Sequence, residues 1–379
     1  MVVPLAAKSL IVLSHSLQAR RMRLLLANEA ARELARSLAN GADIVFLEWG
    51  GSEPHSPEWA LLQEELNSAP IIRYALPRHP NVLSNVTKKS HVIRYQEIPD
   101  SRPQLERIVL FSYHSHYAYL AHMAKARGIE LILVEEGLST LRGLVPQRET
   151  RELGRLTQTL HLLYWLARDL VGAFHALTEG LMAMARRQFR EIPPFSDGYR
   201  AFDPVYSHFP DVVGSIFTGS NIQGLAVPAE SGPQQPLDTG VSIFIGQAYE
   251  LSLAAVDILL TEMLGRTQGQ IVVLPHPRAS QRVKSMFEKA IARSESDRVM
   301  IDDSGYPAEK LIRFLRPQHV FSLTSTVLLE VRLWFPTTET VSLVENILDR
   351  RCELRWPVEV KIREDYAVIR AFQSAETVD

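Results

Sequence analysis

Short apolar, β-branched runs alternate with helically periodic stretches in two separate blocks of this 379-residue chain. In the first block the strand-like runs are "SLIVLS" (9–14), "ADIVFLEW" (42–49), "RIVLFSY" (107–113) and "ELILVEE" (130–136), with helical periodicity over 18–38, 57–67 and 114–127. In the second they are "VSIFIGQ" (241–247), "QIVVLPH" (270–276), "RVMIDD" (298–303), "HVFSLTS" (319–325) and "TVSLV" (340–344), with helices expected at 250–266, 280–293, 307–315 and 325–333. Strands that alternate with helices predict α/β domains built on parallel sheets. Between the blocks, "VPAESGPQQPLDTG" (227–240) is rich in Pro, Gly and Ser, carries no apolar period and reads as a linker. The length also suits two domains rather than one. The expected division is one parallel-sheet α/β domain over 1–226, the linker, and a second over 241–345. A C-terminal segment, 346–379, can return to the first domain.

One stretch departs from the alternation. Residues 151–200 include "RLTQTLHLLYWLARDLVGAFHALTEGLMAMARRQF", amphipathic and rich in Leu, Ala and Met. Its periodicity predicts helices inserted into the first domain, packed on it or on a second subunit. An interfacial contact with a membrane is the sharper alternative. Arg168 and Asp169 interrupt the apolar face and weaken it.

Composition removes several classes. Cys352 is the only cysteine, so the chain has no internal disulfide and no thiolate metal cluster, which fits a reducing cytosol. The net charge of −2 gives no global signal for nucleic acid. The apolar N-terminus, "MVVPLAAKSLIVLSHS", has no basic leader and runs into a strand, so it reads as structure rather than a signal peptide. No run approaches the ~18 to 20 apolar residues of a membrane span.

Open α/β sheets bind ligands beyond the carboxyl ends of their strands. Those positions carry the chemistry here. The run at 130–134 ends in Glu135, Glu136 and Gly137, two adjacent carboxylates suited to a general base, or equally a polar turn capping the next helix. The run at 271–274 ends in Pro275, His276, Pro277 and Arg278. The prolines stiffen the backbone around an imidazole able to move protons near neutral pH; a loop-bonding histidine is the plainer reading. After 319–323 come Thr324, Ser325 and Thr326, able to cap a helix or to hold a phosphate. Glu309 lies in the first turns of a helix beginning near Pro307, where it could accept hydrogen bonds from a ribose. Gly246 and Gln247 end the first strand of the second block, where a bare backbone admits a ligand closely. In the first block Ser14, His15, His114 and His116 also follow strands and are candidates for acceptor contacts or for simple loop hydrogen bonds.

The ordered set Glu135-Glu136-Gly137, His276-Pro277 and Ser325-Thr326, with Pro307, Glu309 and Leu311 between the last two, resembles the bacterial sialyltransferases that use CMP-sialic acid. These include the capsule polysialyltransferases and the lipooligosaccharide sialyltransferases. "FDPVYSHFPD" (202–211) also looks like a segment that precedes the interdomain linker in those enzymes. The resemblance implies an α/β, GT-B-like fold, with two Rossmann-like domains facing across a cleft, the first on the acceptor side and the second binding the CMP donor. It implies inverting transfer without metal or cofactor. By the same resemblance Glu135 looks like the base that deprotonates the acceptor, with Glu136 its neighbour and the two roles exchangeable. His276 looks like the group that meets the departing phosphate, Ser325 and Thr326 would hold it, Glu309 would bind the ribose, and Gly246, Gln247 and Pro277 would line the donor site. Two departures stand: Glu136 occupies a place where aspartate is common, and Ser322 and Thr324 could shift the hydroxyl pair.

The partners so implied are a CMP-sugar donor and a surface glycan such as lipooligosaccharide or capsule, with peripheral contact at the inner face of the cytoplasmic membrane and a homodimer as open readings. CMP-Kdo or another nonulosonic acid donor fits the same motifs. A UDP-sugar transferase or epimerase of GT-B type, or a non-catalytic glycan-binding relative, would share the fold.

Overall fold

A computed structural model describes residues 7–49, 57–76, 95–113, 115–145, 177, 201–226, 240–276, 279–302, 306, 308–349, 354 and 356–376. The helical insert expected at 151–200, Leu177 apart, and all of the expected linker but Gly240 lie outside the described residues. The chain divides into two compact units, Met1–Ala226 and Val227–Asp379.

The first unit holds seven parallel strands: β1 (Ser9–Leu13), β2 (Ala42–Trp49), β3 (Ile71–Leu76), β4 (Arg107–Leu110), β5 (Glu130–Val134), β6 (Val205–Ser207) and β7 (Ile222–Gly224). They are ordered β3-β2-β1-β4-β5-β6-β7. All five residues of β1 are buried, as a strand covered on both faces requires. Alternate residues Ile11, Leu13, Ile44 and Phe46 join one core with Ala19, Met22 and Leu25 of the helix Ser16–Leu26. Trp59 meets Phe46 edge-on at 5.2 Å. Each such side chain, fully buried, contributes about 1.5–3 kcal/mol. A buried ion pair sits among the described residues of this unit: Arg102 Nε donates to Asp43 Oδ2 at 3.1 Å, and Arg102 Nη1 reaches Ile98 O at 2.8 Å.

The second unit holds β8 (Ser242–Ile245), β9 (Ile271–Leu274), β10 (Val299–Ile301), β11 (His319–Ser322) and β12 (Glu339–Ser342), parallel and ordered β10-β9-β8-β11-β12. The two-residue strand period divides its core cleanly. Ile243, Ile245, Val272 and Leu274 face Ile312, Leu328, Val331 and Trp334. Phe244, Val273 and Phe321 face Val256, Leu259, Met263 and Phe287. Ser252 and Ser280 start the helices Leu253–Arg266 and Gln281–Ser294 by accepting from Ala255 N and Val283 N. The last helix, Trp356–Glu376, sets Ile362 into this second core. This helix falls within the second unit, Val227–Asp379.

Three observed strands have no counterpart in the sequence reading. β6 and β7 are three residues each, too short to show alternation, and β3 ("IIRYAL") carries an arginine mid-run. Both sheets reverse strand order once, between β1 and β4 and between β8 and β11, and the carboxyl ends flanking those reversals are where ligands bind in such sheets. Left-handed residues mark the opposite side. Asn67 and Ser68 precede β3, Gly128 β5, Gly219 β7, Gly240 β8, Glu295 β10 and Arg316 β11. Among the described residues no helix is long and apolar enough to cross a membrane.

Candidate active site

In the first unit the site grows from the end of β5. Glu135 N donates to Tyr206 O at 2.9 Å, so Glu135 continues the ladder with β6 and its side chain is only 1% exposed. A carboxylate at that depth needs donors. Ser207 Oγ donates to Glu135 Oε2 at 2.9 Å and the backbone N–H of His208 donates to the same oxygen at 3.0 Å. Ser207 Oγ is itself fixed by Phe209 N at 2.9 Å. Glu135 Oε1 has no hydrogen-bond partner among the described residues. Burial holds the His208 imidazole below its ordinary value, the Glu135 charge opposes that shift, and Arg21 adds to it.

The next residue points elsewhere, as strand alternation demands. Glu136 is partly exposed, and its Oε1 lies 2.6 Å from His15 Nε2 at the end of β1. Ser139 Oγ donates to Glu136 Oε2 at 3.3 Å, and Glu136 N donates to Thr140 Oγ1 at 3.1 Å. Gly137 makes the turn at φ 119° and ψ −134°, backbone that a side chain would strain. Beside this pair, Ser14 N donates to Gln18 Oε1 at 2.6 Å, and Gln18 Nε2 donates to Tyr117 Oη at 3.4 Å. Burial first, then the Glu136 charge, push the Tyr117 hydroxyl above its ordinary value, against hydrogen bonds with Ser14 and Gln18.

The structure thus gathers Ser14, His15 and Glu136 and turns Glu135 inward. His114 lies outside the described residues. His116 is in the helix Ser115–Ala126, with its side chain outside what is described. Ser207 and His208 were missed by the sequence reading. The signal for them was the strand-end rule applied to "VYSH" in the quoted segment 202–211, whose strand is too short to be recognised.

In the second unit Gly246 leaves β8 with its N–H on Leu274 O at 2.8 Å. A Cβ there would lie 2.8 Å from Leu274 O, 3.2 Å from His276 N and 3.3 Å from Pro275 Cα. The glycine is thus required by the strand end that carries His276. His276 is partly exposed, and its carbonyl accepts from Ala279 N at 2.7 Å. Pro277 and Arg278 lie outside the described residues.

On the other side of β8, β11 ends in the hydroxyl residues. Ser322, fully buried, donates to Ile245 O at 2.7 Å. Ser325, 8% exposed, accepts from Val327 N at 3.3 Å at the start of the helix Val327–Trp334, and Thr326 and Gln247 are partly exposed. Glu309 sits in the first turn of the helix Ala308–Leu315 and is 7% exposed; Pro307 lies outside the described residues. Among the described residues no three His, Cys, Asp or Glu side chains gather where they could share a metal ion.

The family model for alpha-2,8-polysialyltransferase matches residues 10–344. This chain belongs to that family. The match spans both sheets and covers the stretches 135–137, 276–277 and 325–326. No curated protein matches the chain. Among solved structures it is similar to UDP-N-acetylglucosamine 2-epimerase from Rickettsia bellii, with TM-score 0.48, 10% identity, and 99% of this chain and 98% of that one covered. It is similar also to the glycotransferase of kitacinnamycin (0.45, 12%, 99% and 98%) and to a glycosyltransferase from Rickettsia africae (0.44, 9%, 97% and 94%). At these identities the likeness identifies no activity. The α/β class rests on the chain's own two parallel sheets. Membership of the polysialyltransferase family makes the chain a glycosyltransferase.

Proposed function

We propose that this chain is a sialyltransferase that moves sialic acid from CMP to a glycan hydroxyl with inversion. The observation that carries the reading is the state of Glu135. One of its oxygens is held by two donors and the other has no partner among the described residues, at the carboxyl end of a strand near the sheet reversal. A base so anchored has a fixed direction; its second oxygen is buried as well as unpartnered, so the acceptor hydroxyl must displace what covers it to reach it. In the proposed reaction Glu135 Oε1 receives the proton of the acceptor hydroxyl. The freed oxygen bonds to the anomeric carbon of the sialyl group, and the bond from that carbon to the phosphate oxygen breaks. Its electron pair leaves on CMP, where His276 supplies a proton or hydrogen bond and Ser325 and Thr326 hold the phosphate. Glu136, engaged with His15, takes the supporting place. Ser14 and His15 are the proposed acceptor contacts, and Glu309 with Gly246, Gln247 and Pro277 the donor contacts. No divalent cation is used in this scheme.

The test is CMP release from CMP-Neu5Ac in the presence of glycan acceptors and EDTA. Turnover is expected with chelator present. Glu135→Gln and His276→Ala are each expected to lower it by about 10²- to 10⁴-fold, the usual worth of a general acid or base. Release from UDP-sugars and never from CMP-sugars would overturn the proposal.

A further inference from the structure

The hydroxyl turn after β11 is tied to the far end of the chain. Tyr249 follows Gly246 and Gln247 off β8, and its Oη lies 2.5 Å from Thr324 Oγ1 and 2.7 Å from Asp365 Oδ2. Thr324 is 1% exposed and Asp365, on the helix Trp356–Glu376, is 7% exposed. Lys361 Nζ, one turn earlier on that helix, donates to Asp365 Oδ1 at 2.6 Å.

The directions of these bonds follow from their chemistry. An ionised carboxylate only accepts, so Tyr249 donates its single hydroxyl proton to Asp365. Thr324 must then donate to Tyr249. The three groups form a one-way relay that ends on a carboxylate whose other oxygen is engaged by a lysine, and charge-assisted bonds of this kind are the strong ones. The relay has a consequence for the phosphate-holding turn. The Thr324 proton is committed to Tyr249 and the Ser322 proton to Ile245 O. Ser325 Oγ accepts from Val327 N, which leaves its own proton to donate. The Ser325 proton is left for a ligand, and Thr324, the residue just before it, is clamped.

We propose that Tyr249 and Asp365 are positioning residues for the donor's phosphate: they hold Thr324 so that Ser325 and Thr326 face the leaving group. The inference rests on the CMP-donor reading above. It joins to the donor site a helix that begins 14 residues after the last strand ends and that no motif reaches.

The experiment measures CMP affinity by calorimetry, and kcat and KM for CMP-Neu5Ac, on the full chain and on Tyr249→Phe, Asp365→Asn, Thr324→Val and Thr324→Ser. Tyr249→Phe and Thr324→Val remove a hydroxyl with little change of shape. Each is expected to weaken CMP binding and raise KM about tenfold, with kcat within about threefold, the pattern of lost binding rather than lost chemistry. Thr324→Ser keeps the relay hydroxyl and is expected to restore KM to near the parent value. Should Asp365→Asn fail to fold, the two isosteric variants still decide. Folded Tyr249→Phe and Thr324→Val proteins with unchanged CMP affinity and KM would overturn the inference while leaving the donor reading intact. A parent protein that binds no CMP would overturn the donor reading, and the inference with it.

Discussion

Gly246→Ala tests how tightly the ends of β8 and β9 are packed. The added Cβ would stand 2.8 Å from Leu274 O. Carbon–oxygen contacts settle near 3.3–3.6 Å, so the two must part by about half an ångström or more. The other near atoms are His276 N and Pro275 Cα, which are also backbone, and no flexible side-chain tip can yield instead. Overpacking of this kind costs about 1–3 kcal/mol. For a unit the size of Val227–Asp379 each kcal/mol moves Tm by about 2–4 °C, so a fall of about 2–12 °C is expected by scanning calorimetry. His276 N is among the displaced atoms, so CMP release measured well below Tm is expected to fall by at least about tenfold, because small misplacements near reacting groups are costly. Gly265→Ala is the matched control. It lies in the helix Leu253–Arg266 with nothing within 4 Å of an added Cβ, so alanine should be neutral or stabilising by up to about 1 kcal/mol. An unchanged Tm and unchanged turnover in Gly246→Ala would refute the close approach of the two strand ends.

Three further outcomes follow from the first unit. Ser207→Ala removes a hydrogen bond to the buried Glu135 carboxylate and is expected to cost about 1.5–3 kcal/mol in urea unfolding. Asp43→Ala strands the fully buried Arg102 guanidinium and is expected to cost about 3–5 kcal/mol by the same measurement. His208 titrates below its ordinary 6.5 in the folded chain because of burial, with Glu135 opposing. The unfolded chain therefore takes up this proton first, so the stability it contributes is present above pH about 6.5 and is lost as pH falls through the folded value. Urea midpoints at pH 7.5 and pH 5 should differ less in His208→Gln than in the parent.

Most strands that could be read from sequence are buried on both faces; β12, read as "TVSLV", is not. β1, β8 and β9 are continuous apolar runs, and no other local structure accounts for "SLIVL" or "IVVL". β10 could be read too, although Met300 is half exposed on the sheet's edge. β6 could not, because three residues hold no period. The motifs were visible because strand ends are where such sheets keep their polar side chains. Their orientation was not. Which of Glu135 and Glu136 turns inward depends on Ser207, 72 residues further along, and the committed proton of Thr324 depends on Tyr249, 75 residues earlier. Asp365, 116 residues beyond Tyr249, belonged to a segment that sequence left without a home. Contacts at such separations are set by the topology of the sheets, not by local pattern.

The left-handed residues lie, Gly137 apart among those described, in the turns that lead into strands, at the end of the sheets away from the candidate chemistry. This separates two kinds of error that a variant library would otherwise mix. A substitution at Gly128 or Gly240 perturbs the return of the chain and reports on folding alone, whereas one at Gly137 perturbs the turn that aims two carboxylates. The protein carries its own calibration set: losses at the entry turns measure how much activity disappears through instability, and whatever Gly137→Ala loses beyond that belongs to the chemistry.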